Sequence, residues 1–357
     1  MTTKLIVNRA RIDEAKIVER EPATLAVGEI RVATRRFALT ANNISYALSG
    51  EAIGYWRFFP DAEDGWGCVP VWGFGEVVES RAEGVAVGDC YWGFFPMASD
   101  LVMAPSRISA SGITDGIEHR RELPYVYNMY ARTNDDPAPL AAVPDLRSLL
   151  FPLLTTSFVL DDYIADNGGF GAAQVIIGSA SSKTAFGLAH YLRQRGEQPV
   201  IGLTSPRNIG FVEGLGLYDR VVAYDAVGTL DPDIASVFVD MSGDGDVVAA
   251  VHRHFGDRVK ASIGVGATHW GAGRAPIDLP GARPAFFFAP AQIAKRDQDW
   301  GAGVLMRRAV EANIAACATL SARMALTEAT GAAAIAAAYA EMVAGKTPPD
   351  RGVILAF

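Results

Sequence analysis

Between about residue 147 and residue 290, short apolar runs alternate with segments that have helical apolar spacing. The runs are rich in β-branched residues and are bounded by turn residues, a pattern typical of buried strands. Strands that alternate with helices in this way predict a doubly wound parallel sheet. The predicted strands lie at or near Val175, Val200, Val221 to Tyr224, Ser236 to Asp240, Ala261 to Val265 and Ala285 to Phe288.

Different patterns precede and follow this region. Residues 1 to about 110 alternate apolar and polar positions between Gly, Pro and Asp clusters, which predicts an all-β, turn-rich segment. After Trp300 the chain is alanine-rich and helical to about Ala344, and Gly352 to Phe357 closes it as a strand. We therefore expect an α/β protein with a β-rich first segment (1–146), a nucleotide-binding domain (147–298) and a C-terminal segment (299–357).

The first predicted strand leads into a loop of small and hydroxyl residues, Gly178-Ser-Ala-Ser-Ser-Lys183-Thr184. Such a loop lets backbone N–H groups and the start of the next helix face a phosphate. The spacing Gly-x-Gly-x-x-Gly is absent, and only Gly178 and Gly187 remain. Hydroxyls can donate to a phosphate, although side chains also keep it further from the backbone. The expected phosphate contacts are Gly178, Ser181, Ser182, Lys183 and Thr184.

The same loop partly imitates the P-loop of nucleotide hydrolases through Lys183-Thr184. Ser182 occupies the place of the glycine before the lysine, and the first glycine is one residue too close. Nucleotide hydrolysis is therefore disfavoured.

The end of the second predicted strand indicates which cofactor to expect. Pro199 to Leu203 is followed by Thr204-Ser205-Pro206-Arg207-Asn208, where an NAD site would place Asp or Glu to accept from the ribose hydroxyls. Hydroxyls and a guanidinium suit a 2′-phosphate, which a carboxylate would repel. An ordinary exposed turn uses the same residue types. Given the preceding strand and helix, Thr204, Ser205 and Arg207 favour NADP over NAD.

Charge and composition exclude some partners. The 357 residues carry a net charge of −8 and the basic residues are scattered, so a nucleic-acid-binding patch is not expected. No apolar run reaches membrane-spanning length and the first residues do not form a signal peptide, so we expect no membrane partner and a cytoplasmic location. The three cysteines and five histidines are too scattered for a metal motif, although a site assembled from distant residues stays open. His252 and His254 fall on a predicted exposed helix.

Motifs outside the nucleotide loop carry a family resemblance. Val85 to Gly93 and Pro70 to Val78 are similar to two segments of the GroES-like domain of the medium-chain dehydrogenase/reductase superfamily. On these motifs and on the order of its parts, nearly the whole chain resembles that superfamily, and most closely its DUF2855 branch. Segments similar to this branch are Ala41 to Tyr46, Gly54 to Pro60, Ser181 to Ala185, Gly202 to Ser205, Gly266 to His269 and Phe286 to Pro290.

The resemblance implies a GroES-like β-rich domain, a Rossmann domain, and a C-terminal segment that returns to complete the first domain. Where zinc-dependent members carry ligands, this chain has Asn43 to Tyr46 and Trp72 to Gly75, so it resembles the zinc-free quinone and enoyl reductases. In those branches a tyrosine near the position of Tyr46 donates a proton or positions the substrate carbonyl. Tyr55 is the second candidate, and the alternative for Tyr46 is a packing role.

Four further positions are candidates for the site. Arg57 lies among aromatic residues and needs a partner, which is a substrate carboxylate, Glu51 or Asp61. Ligands sit beyond the carboxyl ends of parallel strands, which selects Ser242 and Gly266 for the cofactor. His269 follows the same rule and is either a proton relay or a structural hydrogen-bonding residue.

These observations predict a zinc-independent, NADPH-dependent oxidoreductase that transfers hydride to a carbonyl or a conjugated enone or quinone-type small molecule. One alternative is an inactive nucleotide- or acyl-metabolite-binding protein of the same fold. Another is a non-redox lyase or isomerase that uses Arg57, Lys295 and His269. Related proteins often dimerise through edge strands, so a homodimer through Pro284 to Phe288, predicted as a buried strand, is expected, with a monomer as the alternative.

Overall fold

The computed structural model describes residues 1–266 and 278–357, and the chain forms two compact units. The first unit contains residues 1–152 and 324–357, and the second contains residues 153–323. From the sequence, boundaries were expected after residues 146 and 298. The second unit extends further because the helix Val304–Leu320 packs within it. On this helix, Asn313 accepts from the Tyr191 hydroxyl (2.7 Å) and donates to the Thr155 hydroxyl (2.9 Å).

The strands and helices are numbered here in chain order. The first unit begins with β1 (Thr2–Asn8), β2 (Ala15–Arg20), β3 (Ile30–Leu39), α1 (Ala41–Leu48), α2 (Gly50–Ile53), β4 (Trp66–Gly67), β5 (Pro70–Ser80), β6 (Cys90–Pro96), β7 (Asp100–Met103), β8 (Pro105–Ser109), β9 (Gly112–Asp115), β10 (Met129–Arg132) and α3 (Ala138–Ala141). Helix α4 (Pro144–Asp166) starts in the first unit and continues into the second. The second unit continues with β11 (Gln174–Gly178), α5 (Lys183–Arg195), β12 (Val200–Thr204), α6 (Ile209–Leu215), β13 (Arg220–Ala223), β14 (Ser236–Asp240), α7 (Gly245–Phe255), β15 (Val259–Gly264), β16 (Pro284–Phe286), α8 (Ala289–Trp300) and α9 (Val304–Leu320). The chain then returns to the first unit with β17 (Ala325–Thr330), α10 (Ala332–Val343) and β18 (Arg351–Ala356).

Two sheets form most of the first unit. A nine-stranded sheet has the order β17-β18-β3-β5-β6-β10-β9-β8, with β7 also paired to β3, and a three-stranded sheet has the order β2-β1-β4. The last strand, β18, pairs antiparallel with β3, so the end of the chain completes the larger sheet.

Helices α1 and α2 correct the expectation that residues 1–110 are all-β. At the start of α1, the Asn43 side chain accepts from the Thr40 N–H (2.7 Å), which satisfies a backbone donor that no helical carbonyl can reach. Ile44 and Ala47 bury the apolar face of this helix. Helix α1 carries Tyr46 on that buried side.

The second unit contains a six-stranded sheet with the order β13-β12-β11-β14-β15-β16, in which every neighbouring pair is parallel. Counted from β11 this order is 3-2-1-4-5-6, the arrangement of the Rossmann fold. The doubly wound parallel sheet predicted from the sequence, with its six strands, is confirmed.

The centre of this sheet explains the sequence pattern. In β11, Val175, Ile176 and Ile177 are all 0% exposed, because both faces of the sheet are covered. On either side of β11 lie β12 and β14, the neighbours at which the strand order reverses. The carboxyl ends of strands at such a reversal form the crevice in which ligands of this fold bind.

One expectation about exposure was wrong. His252 is 0% exposed on α7, since its ring nitrogens hydrogen bond to the Ser262 hydroxyl and the Pro280 carbonyl, both at 2.8 Å. The strand β16 lies at the edge of the sheet, where the sequence placed a dimerising strand, and its residues are exposed in the single chain, with Phe286 61% exposed. The apolar run Pro284 to Phe288 therefore marks the sheet edge.

Among the described residues, one helix is long and apolar enough to cross a bilayer by length and composition alone. This is α4, and 61% of its most apolar window is buried inside the protein. Leu150 and Leu154, for example, are 0% exposed. Such burial is typical of a helix that forms part of a protein core.

Candidate functional site

The candidate phosphate loop connects β11 to α5. β11 ends at Gly178, and Ser179 follows with a left-handed backbone (φ 54°), which is uncommon for a residue with a Cβ. The Ser182 hydroxyl then accepts from the Ala185 N–H (3.3 Å) and caps α5. Lys183 and Thr184 form the first turn of this 13-residue helix. The positive end of a helix thus follows the loop directly, an arrangement that favours a phosphate.

The loop is held by the carboxyl ends of neighbouring strands. Its contacts are the Ala180 N–H to the Leu203 carbonyl (2.9 Å), the Asn208 amide to the Ser181 hydroxyl (3.1 Å), and the Ser182 hydroxyl to the Met241 sulfur (3.9 Å). Leu203 and Asn208 belong to β12 and the turn after it, and Met241 follows β14. The structure therefore brings the predicted loop residues together with the predicted end of β12.

Two buried hydroxyls lie at the end of β12. Thr204 is 1% exposed, and the side-chain oxygens of Thr204 and Ser205 are buried with no hydrogen-bond partner in the described part of the chain. A buried hydroxyl without a partner loses hydration and gains nothing in return, which destabilises the fold. Arg207 follows on an exposed turn and forms no ion pair within residues 1–266 and 278–357. The carboxyl end of β12 therefore offers hydroxyls and a positive charge to a ligand.

At the end of β14, the Asp240 carboxylate organises the next turn. It accepts from the Ser242 N–H (2.9 Å), the Ser242 hydroxyl (2.6 Å) and the Gly243 N–H (3.1 Å). Ser242 follows the carboxyl end of β14, as expected, but its hydroxyl donates to Asp240. Gly266 is exposed and ends the first described range, and His269 lies outside the described residues.

Tyr224 is a loop contact that the sequence reasoning missed. Its hydroxyl accepts from the Ser179 N–H (3.1 Å), so it takes a backbone donor of the phosphate loop. Burial raises the pKa of Tyr224 to about 12, which keeps the phenol neutral. The only sequence signal was its place at the end of the third strand of the predicted sheet.

In the first unit, Tyr46 belongs to an aromatic cluster formed by Tyr46, Tyr55, Phe58, Trp72, Phe94 and Tyr127. The Tyr46 ring lies 4.5 Å from that of Tyr55 and 5.4 Å from that of Phe94, measured between centroids. Its hydroxyl accepts from the Trp72 indole N–H (3.2 Å). Tyr46 is 6% exposed, and burial, with a smaller contribution from Tyr55, raises its pKa far above the usual range. Tyr46 is therefore a hydrogen-bond donor rather than a base.

The other two phenols of the cluster lie close to each other. The hydroxyls of Tyr55 and Tyr127 lie 3.0 Å apart. Tyr127 was missed in the sequence, where the only signal was the tyrosine content of residues 114–145. Phe58 and Phe94 are at most 1% exposed, so these aromatic residues are core that supports the phenols.

The predicted basic candidates lie elsewhere. The side chain of Arg57 is 59% exposed and its guanidinium is 3.6 Å from the Glu122 carboxylate, so neither Glu51 nor Asp61 is its partner. Lys295 binds Asp166 (2.9 Å) and Asp299 (2.6 Å), which links α8 to α4. Arg57 follows Tyr55 by two residues and directly precedes Phe58, but its guanidinium pairs with Glu122, and the carboxylate partners of Lys295 lie outside the phosphate loop.

No group of three or more His, Cys, Asp or Glu residues that could hold a metal ion occurs within the described ranges. Cys68 and Cys317 are buried, and burial raises the pKa of both thiols to about 12. Both thiols therefore carry a proton at neutral pH.

Solved structures with the same fold cover the whole chain. They include CurA from Vibrio vulnificus in complex with NADPH (TM-score 0.61, 10% identity, 99% of this chain and 98% of that chain covered). Mycobacterial Rv1454c complexed with NADPH gives a TM-score of 0.60 at 13% identity, with 100% of both chains covered. A mutant enoyl thioester reductase from Candida tropicalis gives 0.60 at 10% identity, with 100% of this chain and 99% of that chain covered. At these identities the similarity shows the fold alone, which combines a GroES-like part with a Rossmann part.

A family assignment follows from the sequence itself. No curated protein sequence matches the chain. The family described as "Protein of unknown function (DUF2855)" matches residues 37–348, which is most of the chain, so the protein belongs to this family. The expected family and the expected combination of a GroES-like and a Rossmann fold are confirmed.

Proposed function

We propose that the protein is a zinc-independent, NADPH-dependent oxidoreductase that transfers hydride to a carbonyl or a carbonyl-conjugated alkene. The end of β12 carries this proposal. In a Rossmann fold that binds NAD, an acidic residue there accepts from the ribose hydroxyls. Here Thr204 and Ser205 present buried hydroxyls without partners in the described chain, and Arg207 is exposed next to them. This set of donors suits the 2′-phosphate of NADP and lacks the carboxylate that would repel it.

The loop before α5 fits the pyrophosphate of the same cofactor, with altered contacts. Because Tyr224 takes the Ser179 N–H, the phosphates would be held mainly by the start of α5 and by side chains. Ser181, Ser182, Lys183 and Thr184 supply hydroxyls and one positive charge at that point. The presence of NADPH in the structures of CurA and Rv1454c supports this choice of cofactor.

The aromatic cluster supplies the chemistry on the substrate side. A nicotinamide bound by the second unit would supply the hydride. Tyr46 and Tyr55 remain neutral because burial raises both pKa values, so each can donate to a carbonyl oxygen on which negative charge develops. Phenol donors take over the role that zinc has in metal-dependent relatives, which is why we propose zinc independence. The similarity to an enoyl thioester reductase supports a conjugated carbonyl as the acceptor.

Calorimetric titration with NADPH, NADH and ATP tests the cofactor assignment. We expect NADPH to bind most tightly and the Arg207→Ala variant to lose about tenfold or more in affinity for NADPH alone, as for a charge-assisted contact. Arg258→Ala is a matched control, because Arg258 is also exposed but precedes β15, at the amino edge of the same sheet. Equal binding of NADPH and NADH, or an equal loss in both variants, would contradict the proposal. Turnover is then measured with enones, quinones and aldehydes.

One observation favours a second candidate, a nucleotide-binding protein of this fold without turnover. Ser179, with its N–H bound to Tyr224, and the nearby Asp240 carboxylate make the loop less receptive to a pyrophosphate than a glycine-rich loop. This candidate predicts NADPH binding with no oxidation of the cofactor by any carbonyl acceptor. Detectable NADPH consumption in the same screen would exclude it.

A further inference from the structure

The aromatic cluster contains three phenol hydroxyls whose hydrogen bonds can be counted. Each phenol has one O–H donor. The Tyr55 and Tyr127 hydroxyls share one hydrogen bond (3.0 Å), in which one phenol donates to the other. The Tyr46 hydroxyl accepts from the Trp72 indole (3.2 Å), and the nearby Asn42 amide lowers its pKa as a further donor does. Within the described residues, one O–H of the Tyr55–Tyr127 pair and the O–H of Tyr46 therefore remain available.

The direction of the shared bond decides which phenol of the pair keeps a donor. Burial raises the pKa of both Tyr55 and Tyr127. Both phenols therefore keep their protons, and the bond between them can run in either direction. The ring of Tyr55 lies 4.5 Å from that of Tyr46, whereas the ring of Tyr127 lies 6.5 Å from it, so Tyr55 is the phenol placed to donate beside Tyr46 when Tyr127 donates in the shared bond.

The two available donors lie close together. The rings of Tyr46 and Tyr55 are in contact, with centroids 4.5 Å apart and planes tilted by 41°. Around them, Phe94 and Trp72 provide apolar ring surface, with centroids 5.2 Å apart. Trp72 and Tyr127 are half-buried, so the cluster reaches the surface of the protein. Two O–H donors within an aromatic wall suit a single acceptor oxygen on a flat, apolar molecule.

We infer that Tyr127 is a positioning residue, which fixes the Tyr55 hydroxyl so that Tyr55 and Tyr46 together bind the oxygen of a planar conjugated carbonyl compound. This inference rests on the proposed function and deepens it, because it selects the class of acceptor. Acceptors whose oxygen gains negative charge are favoured, since both donors strengthen as that charge grows. Tyr127 acts only through Tyr55 and is not a catalytic residue.

The test uses 4-nitrophenolate, a flat oxyanion whose absorption band moves to shorter wavelength when its oxygen accepts hydrogen bonds. It is titrated into the cofactor-free wild-type protein and into Tyr46→Phe, Tyr55→Phe and Tyr127→Phe. We expect binding with a band shift in the wild type, about tenfold or greater loss of affinity without either donor, and roughly three- to tenfold loss in Tyr127→Phe, as for one hydrogen bond. At saturation, Tyr127→Phe should also recover only part of the band shift, a change that a purely structural role would not produce.

Tyr339→Phe is the matched control. It removes a phenol of the same unit that donates to the Ile12 carbonyl (2.9 Å) outside the cluster, so affinity and band position should stay unchanged. Absence of a band shift in the wild type, or an unchanged shift and affinity in Tyr127→Phe, overturns the inference. Calorimetry with NADPH on the same proteins separates the two proposals. NADPH binding without the phenolate effects contradicts this inference alone, whereas phenolate effects without NADPH binding contradict the cofactor assignment alone.

Discussion

Replacement of Thr204 by valine should stabilise the cofactor-free protein and weaken its binding of NADPH. Thr204 ends β12, is 1% exposed, and has a side-chain oxygen with no hydrogen-bond partner among the described residues. Valine has nearly the same shape and is also well suited to a strand. Thr204→Val therefore removes an unsatisfied hydroxyl without opening a cavity.

The magnitude follows from the cost of an unpaired buried polar group, about 1–3 kcal/mol. Because valine regains part of this cost, we expect the free energy of unfolding of the cofactor-free protein to rise by about 1 kcal/mol. In the complex the same hydroxyl would bond to a charged phosphate, a contact worth about 1.5–3 kcal/mol. Its loss should raise the dissociation constant of NADPH by about tenfold to a hundredfold.

Urea unfolding without cofactor and calorimetry with NADPH measure the two effects. Thr155→Val is the control, because the Thr155 hydroxyl accepts from the Asn313 amide (2.9 Å) and its removal takes this acceptor away from the amide. The control should be less stable than the wild type. If Thr204→Val is destabilised like the control, or binds NADPH as tightly as the wild type, the Thr204 hydroxyl is not the cofactor contact inferred from its burial.

Three further predictions concern stability, each measured by urea unfolding. Arg120 and Asp115 form an ion pair (3.1 Å) with side chains at most 1% exposed, so Arg120→Met should lower the free energy of unfolding by about 3–5 kcal/mol through the unpaired carboxylate; a loss below about 1 kcal/mol would contradict this. Gly171 has φ 66° with no neighbouring atom in the way of a Cβ, so Gly171→Ala should cost about 1–2 kcal/mol from backbone strain alone, and an equally stable variant would refute that cause. Burial alone would raise the pKa of Asp61, but the hydrogen bond from Arg20 and the other donors and charges around it outweigh burial and lower that pKa. The folded carboxylate therefore stabilises the protein above its unfolded pKa, and the contribution disappears as the pH falls through the folded pKa, so Asp61→Asn should flatten the acid side of the stability profile.

The sequence predicted the second unit better than the first for a physical reason. Parallel strands covered on both faces leave continuous apolar runs, such as Val175 to Ile177, that stand out from the helices between them. Helix α1 was missed because its start depends on Asn43 accepting from Thr40, and asparagine is more often a turn residue. The end of the second unit was misplaced because α9 looks like any alanine-rich helix until its contact with Tyr191 is known.

The candidate site was also predicted only in part. Ser181, Thr204 and Arg207 lie at the carboxyl ends of neighbouring strands, and this placement follows from the strand order that the sequence pattern predicts. The burial of the Thr204 hydroxyl does not, since exposure depends on neighbours distant in sequence. Tyr224 and Tyr127 were missed because their partners lie 45 and 72 residues away, respectively. A hydrogen bond over that separation leaves no periodic signal in a single sequence.

The loop before α5 retains the geometry of a dinucleotide loop with fewer glycines, and the structure indicates how. Gly178 is kept where a Cβ would lie 3.0 Å from the Asp240 carboxylate, and Gly187 is kept where one would lie 2.7 Å from the Ser157 hydroxyl. At the sharp turn between them, Ser179 adopts the left-handed backbone that glycine normally provides, at a cost of about 1–2 kcal/mol. The hydrogen bond from the Ser179 N–H to the Tyr224 hydroxyl helps to offset that strain. The same hydrogen bond occupies a backbone donor, so under the proposed function a phosphate would need other donors. The Thr204 and Ser205 hydroxyls, which have no partner among the described residues, and Arg207 would supply them.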